Sequence, residues 1–410
     1  MHATPLVSIC IPTFGRGRYL RSLLDGLAAQ LAGFAHAYEI VIADNASPDD
    51  TPEVVEAYAA RLPIRSFRHP RNIGGFANWQ FVMSRAEGRY LVYLSDDDCL
   101  LGEPLAATIA RLEADPQIAV VYAPWLLYDL VAQQEQGRFY DVPHDLLVER
   151  GAHRELLDHV LRHHIFPEVQ IVRRDVLQRL MPRINEHAFF AFVHAADYLA
   201  HGRVLIQREP WYVAITRYFD DETREQLGSE EVEVAWDRYR GGLEYLLARA
   251  GDAVAPEERA GLHLRMQRFV ALRMSVAIRL RHHKGRDPVD TWMLAMRLKG
   301  LGHEALCPVP MATLRARAAL HFLMHDAELH RGVRQVLVVG ESDDDTRRWM
   351  REHADKPVEF VASLPPLQRL SDTLVVLRDG AAPPDASPAE LAARGVRMLR
   401  ERELFERFDG

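Results

Sequence analysis

The stretch VSICIPTFGR at residues 7–16 decides the fold, because it joins a run of β-forming residues to a polar turn and then to a helical pattern. We predict a strand over residues 7–11. The segment that follows carries leucines at the spacing with which a helix buries one face against a sheet: Leu20, Leu23, Leu24, Leu27 and Leu31. A strand followed at once by such a helix is typical of the start of an α/β unit.

The same alternation of strands and helices continues to about residue 125. Further strands are predicted over residues 38–43, 64–67 and 90–94, and a second helix over residues 51–62. Residues 90–94 form an unbroken apolar run, which indicates a strand covered on both faces. The sequence therefore predicts the α/β class, with mostly parallel strands and flanking helices.

Three regions follow one another along the chain. We assign residues 1–218 to the first α/β domain, whose second half, from about residue 166, is less regular. Residues 219–331 are strongly helical and are predicted to form a helical domain or an oligomerisation region. Residues 332–410 return to alternating strands and helices, which predicts a small Rossmann-like α/β domain.

Composition excludes several classes of protein. With 410 residues, 48% hydrophobic and 26% charged, the chain is neither intrinsically disordered nor fibrous. Its formal net charge of −8 gives no reason to expect a nucleic-acid partner. Three widely separated cysteines, outside any CxxC spacing, argue against a disulfide framework and a structural zinc site. We therefore expect a cytoplasmic protein; the first ten residues lack the pattern of a signal peptide.

Polar residues follow four of the predicted strands at their carboxyl ends. They are the segments PTFGR at 12–16, DNAS at 44–47, RNIG at 71–74 and SDDD at 95–98. In open α/β sheets such loops converge on one crevice, where ligands bind. Three adjacent carboxylates repel one another there, and a hard divalent cation with oxygen ligands relieves that repulsion. A divalent cation, magnesium or manganese, bridging a diphosphate is therefore one expectation. Acidic runs before helices are also common as caps and solvated faces, so that alternative stays open for this triplet.

Other phosphate-binding motifs are missing from the sequence. Gly15 and Gly17 begin a dinucleotide fingerprint, but its third glycine would fall at Leu20. No GxxxxGK[ST] loop occurs anywhere. A second aspartate triplet, residues 343–345, also follows an apolar strand, but the helix begins directly after it, so we expect capping there and no ligand.

Four ordered motifs together carry a family resemblance. VSICIPTFGR, EIVIADNASPDD, RNIGGFANW and GRYLVYLSDDD resemble the nucleotide-binding half of family-two glycosyltransferases with the GT-A fold. The resemblance is dense over the first 105 residues and looser to about residue 217. It implies a mixed, mostly parallel sheet and an inverting transfer of a sugar from a nucleoside diphosphate to an acceptor hydroxyl. The motifs are most similar to the rhamnosyl- and abequosyl-transferase branch, which points to a deoxyhexose donor and a glycan or lipid-linked glycan acceptor.

The resemblance also implies roles for individual residues. It places in the nucleotide-sugar site Pro12, Thr13, Arg16, Asp44, Asn45, Asn72, Asp96 and Asp97. Asp96 and Asp98 correspond to the carboxylates that hold the metal and the ribose. The sequence departs from the family at Gly15, where asparagine is usual, and at Ser95, where many members have the first acid. The acids are thus shifted by one position, and which of the three touches the metal stays open.

The general base must come from the second half of the domain, since a sugar hydroxyl is a poor nucleophile until a side chain takes its proton. The stretch HAADYLAHGRVLIQREPWY at residues 194–212 resembles the family's acidic motif, with Asp197 at the position of the base. An aspartate near a helix start is also often only a cap. His194, one turn earlier on the same helix, is the rival base. The nearby phenylalanines 189, 190 and 192 are expected in the core.

Two other functions remain as alternatives. One is a non-catalytic carbohydrate-binding or scaffold protein on a transferase fold. The other is a sugar-phosphate nucleotidyltransferase, because residues 15–18 imitate the glycine-rich loop of such an enzyme. A stretch of basic residues at 262–286 is compatible with peripheral contact to the inner face of an anionic membrane, or with a buried helix whose arginines reach the surface. The helical region is equally compatible with a homo-oligomer interface.

Overall fold

A computed structural model describes residues 4–180, 187–221, 233, 235–378, 380–382 and 385–408. The chain divides into two compact units. The first comprises Met1–Gln226 and Ala235–Phe269, and the second comprises Leu227–Val234 and Val270–Gly410. The helices between residues 219 and 331 are shared between these units, and the predicted three-part division stays a prediction.

The first unit is built on a mixed α/β framework. Its strands are β1 (Val7–Thr13), β2 (Tyr38–Asp44), β3 (Ile64–Arg68), β4 (Tyr90–Tyr93), β5 (Cys99–Leu100), β6 (Ile118–Tyr122), β7 (Trp125–Asp129), β8 (Gln134–Arg138), β9 (Leu146–Val148), β10 (Gln170–Arg173), β11 (Arg203–Ile206) and β12 (Tyr212–Arg217). Its helices are α1 (Gly17–Gln30), α2 (Thr51–Ala59), α3 (Gly75–Arg85), α4 (Gly102–Ala114), α5 (His153–His163), α6 (Arg174–Leu180), α7 (Phe190–His201), α8 (Trp236–Ala250) and the first half of α9 (Pro256–His283).

The main sheet has the strand order β3-β2-β1-β4-β10-β6-β11-β9. Strands β1 to β4 are parallel, and β10 runs antiparallel between β4 and β6. This mixed, mostly parallel sheet with helices confirms the predicted fold class. The first strands also lie close to their predicted positions, because continuous apolar runs can be satisfied only by burial on both faces.

Helix α1 shows how the sequence pattern becomes packing. Its four central leucines are fully buried, and Leu31 just beyond the helix is buried as well. This confirms the predicted leucine stripe. A stripe of this kind stabilises the helix through its contact with the sheet more than through intrinsic propensity.

A second sheet, with the order β5-β12-β7-β8, lies in the same unit. The short strand β5 comes directly after the acidic segment at 95–98 and pairs with the start of β12, where Tyr212 faces Leu100. The second sheet therefore reaches the loop that follows β4.

The second unit contains a small parallel sheet, as predicted for the C-terminal region. Its strands, in the order β14-β13-β15-β16, are β13 (Gln335–Val339), β14 (Val358–Val361), β15 (Thr373–Leu377) and β16 (Arg397–Arg400). Its helices are the second half of α9 and α10 (Pro288–Gly300), α11 (Met311–His325), α12 (Asp344–His353), α13 (Pro388–Ala393) and α14 (Glu401–Glu406). Asp343 caps α12 by accepting a hydrogen bond from the Thr346 amide at 2.7 Å, which confirms the capping expected for the second aspartate triplet.

Across the part of the chain that the structure describes, no helix combines the length and the apolar character needed to cross a membrane.

Candidate functional site

Four loops meet at the carboxyl ends of the parallel strands and are tied together by hydrogen bonds. The Gly15 amide donates to the Ser47 hydroxyl at 2.8 Å, which joins the loops after β1 and β2. The Asn45 amide group donates to the Asn72 side chain at 2.9 Å, which joins the loops after β2 and β3. Arg16 pairs with the segment after β4 through Asp97. The structure thus brings together residues from all four predicted segments.

The loop after β1 presents one cation to this cluster. Thr13 is buried and Pro12 is partly buried, whereas Gly15 has a φ of +64°, which favours glycine. The turn directs Arg16 toward the acidic loop, where its Nη1 lies 3.0 Å from Asp97 Oδ2. The Arg16 guanidinium also lies 5.3 Å from the centre of the Tyr19 ring. The cation is therefore held at the crevice by a carboxylate and an aromatic face.

Asp44 is a buried carboxylate at the end of β2. Its Oδ1 accepts a hydrogen bond from the Ser47 amide at 2.9 Å, and its Oδ2 lies 3.2 Å from Nε of Arg68. The turn that allows this contact has Ala46 in the left-handed region, with a φ of +64°. The loop therefore fixes the orientation of Asp44.

Two asparagines shape the neighbouring edge of the cluster. Asn45 accepts a hydrogen bond from the Ile73 amide at 2.9 Å, and Asn72 accepts one from the Gly74 amide at 2.8 Å. The Asn45 side chain and the Asn72 side-chain oxygen thus hold the loops in shape. They place the Ile73 side chain, which is 37% exposed, on the surface of the loop.

The three acids after β4 have different surroundings. Asp96 is only partly exposed, and its loss of hydration together with the charge of Asp97 raises the pKa of its carboxyl to about 7, although Thr13, Arg16 and the Phe14 amide oppose the rise. Asp97 pairs with Arg16.

Asp98 is held by the second sheet. It accepts hydrogen bonds from the Tyr212 hydroxyl at 2.6 Å and the Ile215 amide at 2.9 Å, one on each carboxylate oxygen. Each oxygen of a carboxylate has a further lone pair, so these bonds do not exhaust its capacity as an acceptor.

The acidic loop after β4 offers carboxylate oxygens of the kind that bind divalent cations. No group of three or more His, Cys, Asp or Glu residues is arranged as a metal site in the described ranges. A cation at this loop would therefore need oxygen ligands from a bound diphosphate or from water in addition to the protein. Burial, and after it the charge of Asp97, raises the pKa of Asp96, and a nearby cation would oppose both effects. Hard carboxylate oxygens suit magnesium or manganese. The residues present thus fit a divalent cation.

The two candidate bases lie on α7, where their surroundings differ. Helix α7 begins at Phe190, so Asp197 lies two turns inside it and the alternative that it is only a cap is wrong. Asp197 Oδ1 accepts hydrogen bonds from Tyr245 and Arg249, each at 2.8 Å.

His194 is 3% exposed and its ring stacks against Trp79 with centroids 5.9 Å apart. Burial lowers the pKa of His194 to about 4, so the imidazole is neutral. Neither His194 nor Asp197 forms a hydrogen bond to the four loops in the described residues, but Asp197 is the one of the two that reaches the surface. Of the nearby aromatics, Phe189 and Phe192 are fully buried, which confirms them as core.

Some residues of the site were not found from the sequence. Phe14 and Ile73 are two of the few large apolar side chains exposed among the described residues, and both stand on loops of the cluster. Phe14 could have been found from the sequence, because it is an aromatic residue directly after the Pro-Thr turn. No sequence pattern indicated Tyr212, Tyr245 or Arg249, because each contacts its aspartate across a long separation in sequence.

Comparison with known proteins identifies the family of the N-terminal region. Residues 8–181 match the family model "Glycosyl transferase family 2". The chain is 36% identical over 121 residues to the uncharacterized protein Rv1520 of Mycobacterium tuberculosis, covering 29% of this chain and 34% of that protein. It is 35% identical over 115 residues to the abequosyltransferase RfbV of Salmonella typhimurium, covering 28% and 34%. The alignments thus span about a third of the length of these curated relatives.

A solved structure with a similar backbone trace is that of Staphylococcus aureus TarS 1-349 in complex with UDP-GlcNAc. It has 17% sequence identity and a TM-score of 0.43, and the match covers 73% of this chain and 90% of that one. The family match coincides with the region that supplies the four loops. The four loops thus lie within the segment of this chain that matches the model of glycosyl transferase family 2.

Proposed function

We propose that this chain transfers a sugar from a nucleoside-diphosphate sugar to a hydroxyl of a glycan or lipid-linked glycan acceptor, with inversion at the anomeric carbon. The observation that carries this proposal is the joining of four polar loops at the carboxyl ends of β1 to β4. That edge is where open α/β sheets bind ligands. The family match over residues 8–181 supplies the class of chemistry.

The donor's nucleoside is proposed to bind over the loops after β1, β2 and β3. Asp44, Asn45 and Asn72 are held in place there, with Pro12 and Thr13 beside them. The exposed side chains of Phe14 and Ile73 offer apolar surfaces suited to a planar base. The abequosyltransferase relative supports a deoxyhexose as the transferred sugar.

The diphosphate is proposed to lie between Arg16 and the acidic loop. Asp96 and Asp98 are the proposed ligands of a magnesium or manganese ion, with Asp97 holding Arg16 in place. Such an ion, when bound, would neutralise charge on the departing diphosphate. Arg16 can reach the phosphates only by exchanging or sharing its partner Asp97, because the two are paired in this structure.

Asp197 is the proposed general base. The acceptor hydroxyl gives its proton to Asp197 while its oxygen bonds to the anomeric carbon. The bond from that carbon to the diphosphate oxygen breaks, and its electron pair leaves with the nucleoside diphosphate. A single displacement of this kind inverts the configuration at the anomeric carbon. The neutral, buried His194 is assigned to the core beneath this site.

A panel of nucleoside diphosphates and nucleotide sugars, with and without Mn²⁺, tests the donor site by thermal shift. A ligand that binds only the folded state raises the melting temperature, so we expect one nucleotide class to do so, and more strongly with Mn²⁺. Product analysis then separates the functions. Release of a free nucleoside diphosphate supports transfer, pyrophosphate indicates nucleotidyl chemistry, and binding without either product indicates a carbohydrate-binding protein.

Two substitutions test the assigned roles. Asp197→Asn is expected to lower kcat about 10²- to 10⁴-fold with little change in donor binding, because the carboxylate acts on the acceptor proton. Asp96→Asn is expected to abolish the Mn²⁺-dependent part of the thermal shift. Asp345→Asn, in the capping triplet of the second unit, is the matched control and should change neither quantity. Normal turnover in Asp197→Asn would contradict the base assignment.

A further inference from the structure

The carboxylate of Asp197 is held on one side only. Tyr245 Oη and Arg249 Nη1 both donate to the same oxygen, Oδ1, each at 2.8 Å. Among the described residues no donor lies on the other oxygen, Oδ2. The Asp197 side chain is 23% exposed, so it is accessible to a ligand. Two donors on one oxygen fix the plane of the carboxylate and leave the second oxygen able to take a proton.

The two donors support each other on α8. Tyr245 and Arg249 are four residues apart and therefore share a face of the helix. Arg249 Nη1 also donates to Tyr245 Oη at 3.2 Å, which closes a triangle with Asp197. The Arg249 guanidinium lies 5.9 Å from the centre of the Tyr245 ring. This geometry leaves few rotamers open to any of the three side chains.

Two glycines allow α8 to come this close to α7. A Cβ added to Gly241 would lie 1.9 Å from the carbonyl oxygen of His187, which is backbone and has no room to move. A Cβ added to Gly242 would lie 3.0 Å from the carbonyl oxygen of Phe189 and from Cβ of Phe192. The amide of Phe189 also donates to the carbonyl of Arg238 at 2.7 Å. The position of α8 relative to α7 is therefore set by close backbone packing.

We propose that Tyr245 and Arg249 are positioning residues for the proposed general base. They orient Asp197 so that Oδ2 faces the acceptor hydroxyl, while Oδ1 is held by the two donors. Helices α7 and α8 both lie outside residues 8–181, so the proposed base and its two positioning residues stand beyond the family match. The inference rests on the proposed sugar transfer.

Three variants test the inference through kcat and the KM for the donor, measured with the nucleotide sugar that gives the largest thermal shift. Arg249→Met is expected to lower kcat about 10- to 100-fold and to leave the donor KM unchanged, because Arg249 acts through Asp197 and does not touch the donor. Arg249→Lys keeps the charge but not the planar set of donors, so kcat should recover only in part. Tyr245→Phe should lower kcat about tenfold with an unchanged donor KM, since it removes one of the two donors to Asp197.

Arg259→Met is the matched control, because Arg259 is an exposed arginine of α9 whose guanidinium contacts the Gly251 carbonyl. It should leave kcat and the donor KM unchanged. Melting temperatures of all variants show whether the fold is kept. Should Arg249→Met fail to fold, Tyr245→Phe decides, because it removes a single oxygen atom.

Failure of the inference is distinct from failure of the proposed function. Without release of a nucleoside diphosphate by the unmodified protein, sugar transfer itself is rejected. If the unmodified protein is active and Asp197→Asn keeps full turnover, Asp197 is not the base. The inference is then rejected together with that assignment. An active protein, an inactive Asp197→Asn, and both Arg249→Met and Tyr245→Phe with unchanged kcat would overturn the inference alone.

Discussion

Burial in the fold keeps His194 from binding a proton near neutral pH. Its ring is packed between Trp79 and Phe190, and its Nε2 is buried without a hydrogen-bond partner in the described residues. A charged imidazole would lose its hydration there without compensation, so burial lowers the pKa of His194 to about 4 from 6.5. A histidine that stays neutral in the native state makes stability depend on pH.

Stability should fall as the pH falls from about 6.5 to 4, because the unfolded chain binds a proton at His194 that the native chain does not bind. The contribution is about 2 kcal/mol between pH 7 and pH 5. Urea unfolding of His194→Leu at these two pH values should therefore show a loss on acidification smaller by that amount. The exposed His201, changed to Gln, is the control and should retain the full loss. Equal losses in His194→Leu and the unmodified protein would refute this account.

The aspartate triplet shows why neighbouring residues need separate explanations. Asp96, Asp97 and Asp98 are adjacent in the chain, yet one keeps a raised pKa, one pairs with Arg16 and one is held by Tyr212. The sequence predicts that the three acids share a site. It does not predict this division of contacts, because Arg16 and Tyr212 lie 81 and 114 residues away from their partners.

At the scale of elements, the start of α1 packs closely against the start of α2, next to the site. The Gly17 amide donates to Asp49 at 2.9 Å, and a Cβ at Gly17 would lie 3.0 Å from the Thr51 amide nitrogen at the start of α2. Gly17 also follows Arg16 directly, so any shift of this helix end moves the cation of the site. Gly26 lies on the same helix with no atom within 4 Å of an added Cβ.

Gly17→Ala should therefore destabilise the protein by about 1–3 kcal/mol through overpacking, and should weaken donor binding as well. Gly26→Ala should stabilise it by about 0.5–1 kcal/mol, because alanine loses less backbone entropy in a helix. Denaturant unfolding and the thermal shift with donor measure the two effects. A Gly17→Ala protein that is as stable as Gly26→Ala and binds the donor normally would contradict close packing at Gly17.

At the scale of the whole molecule, the proposed donor contacts all belong to the first unit. The second unit has its own parallel sheet and its own buried core around β13 and β15. A ligand that binds the native first unit slows its local opening, and amide exchange reports such opening segment by segment.

Hydrogen exchange with the best nucleoside diphosphate of the panel and Mn²⁺ should show protection in the segments 12–17, 44–47, 71–75 and 95–98. The sheet β13–β16 should exchange at the same rate with and without ligand. The comparison uses the full chain, and the same experiment with Asp96→Asn supplies the control, with protection reduced. Protection confined to the second unit would place the nucleotide site there and contradict the proposal.

The sequence by itself determined the α/β class, the positions of the first strands, the leucine stripe of α1 and the resemblance of residues 8–181 to family-two glycosyltransferases. These follow from local spacing: alternation, apolar runs and turn residues act within a few positions of one another, and the parallel strands then bring their polar ends to one edge. Only the tertiary structure decided that Tyr212 holds Asp98, that His194 lies in an aromatic core, and that α8 brings Tyr245 and Arg249 to Asp197. Those contacts depend on the packing of elements far apart in the chain, and no local pattern of residues encodes which side chains will meet there.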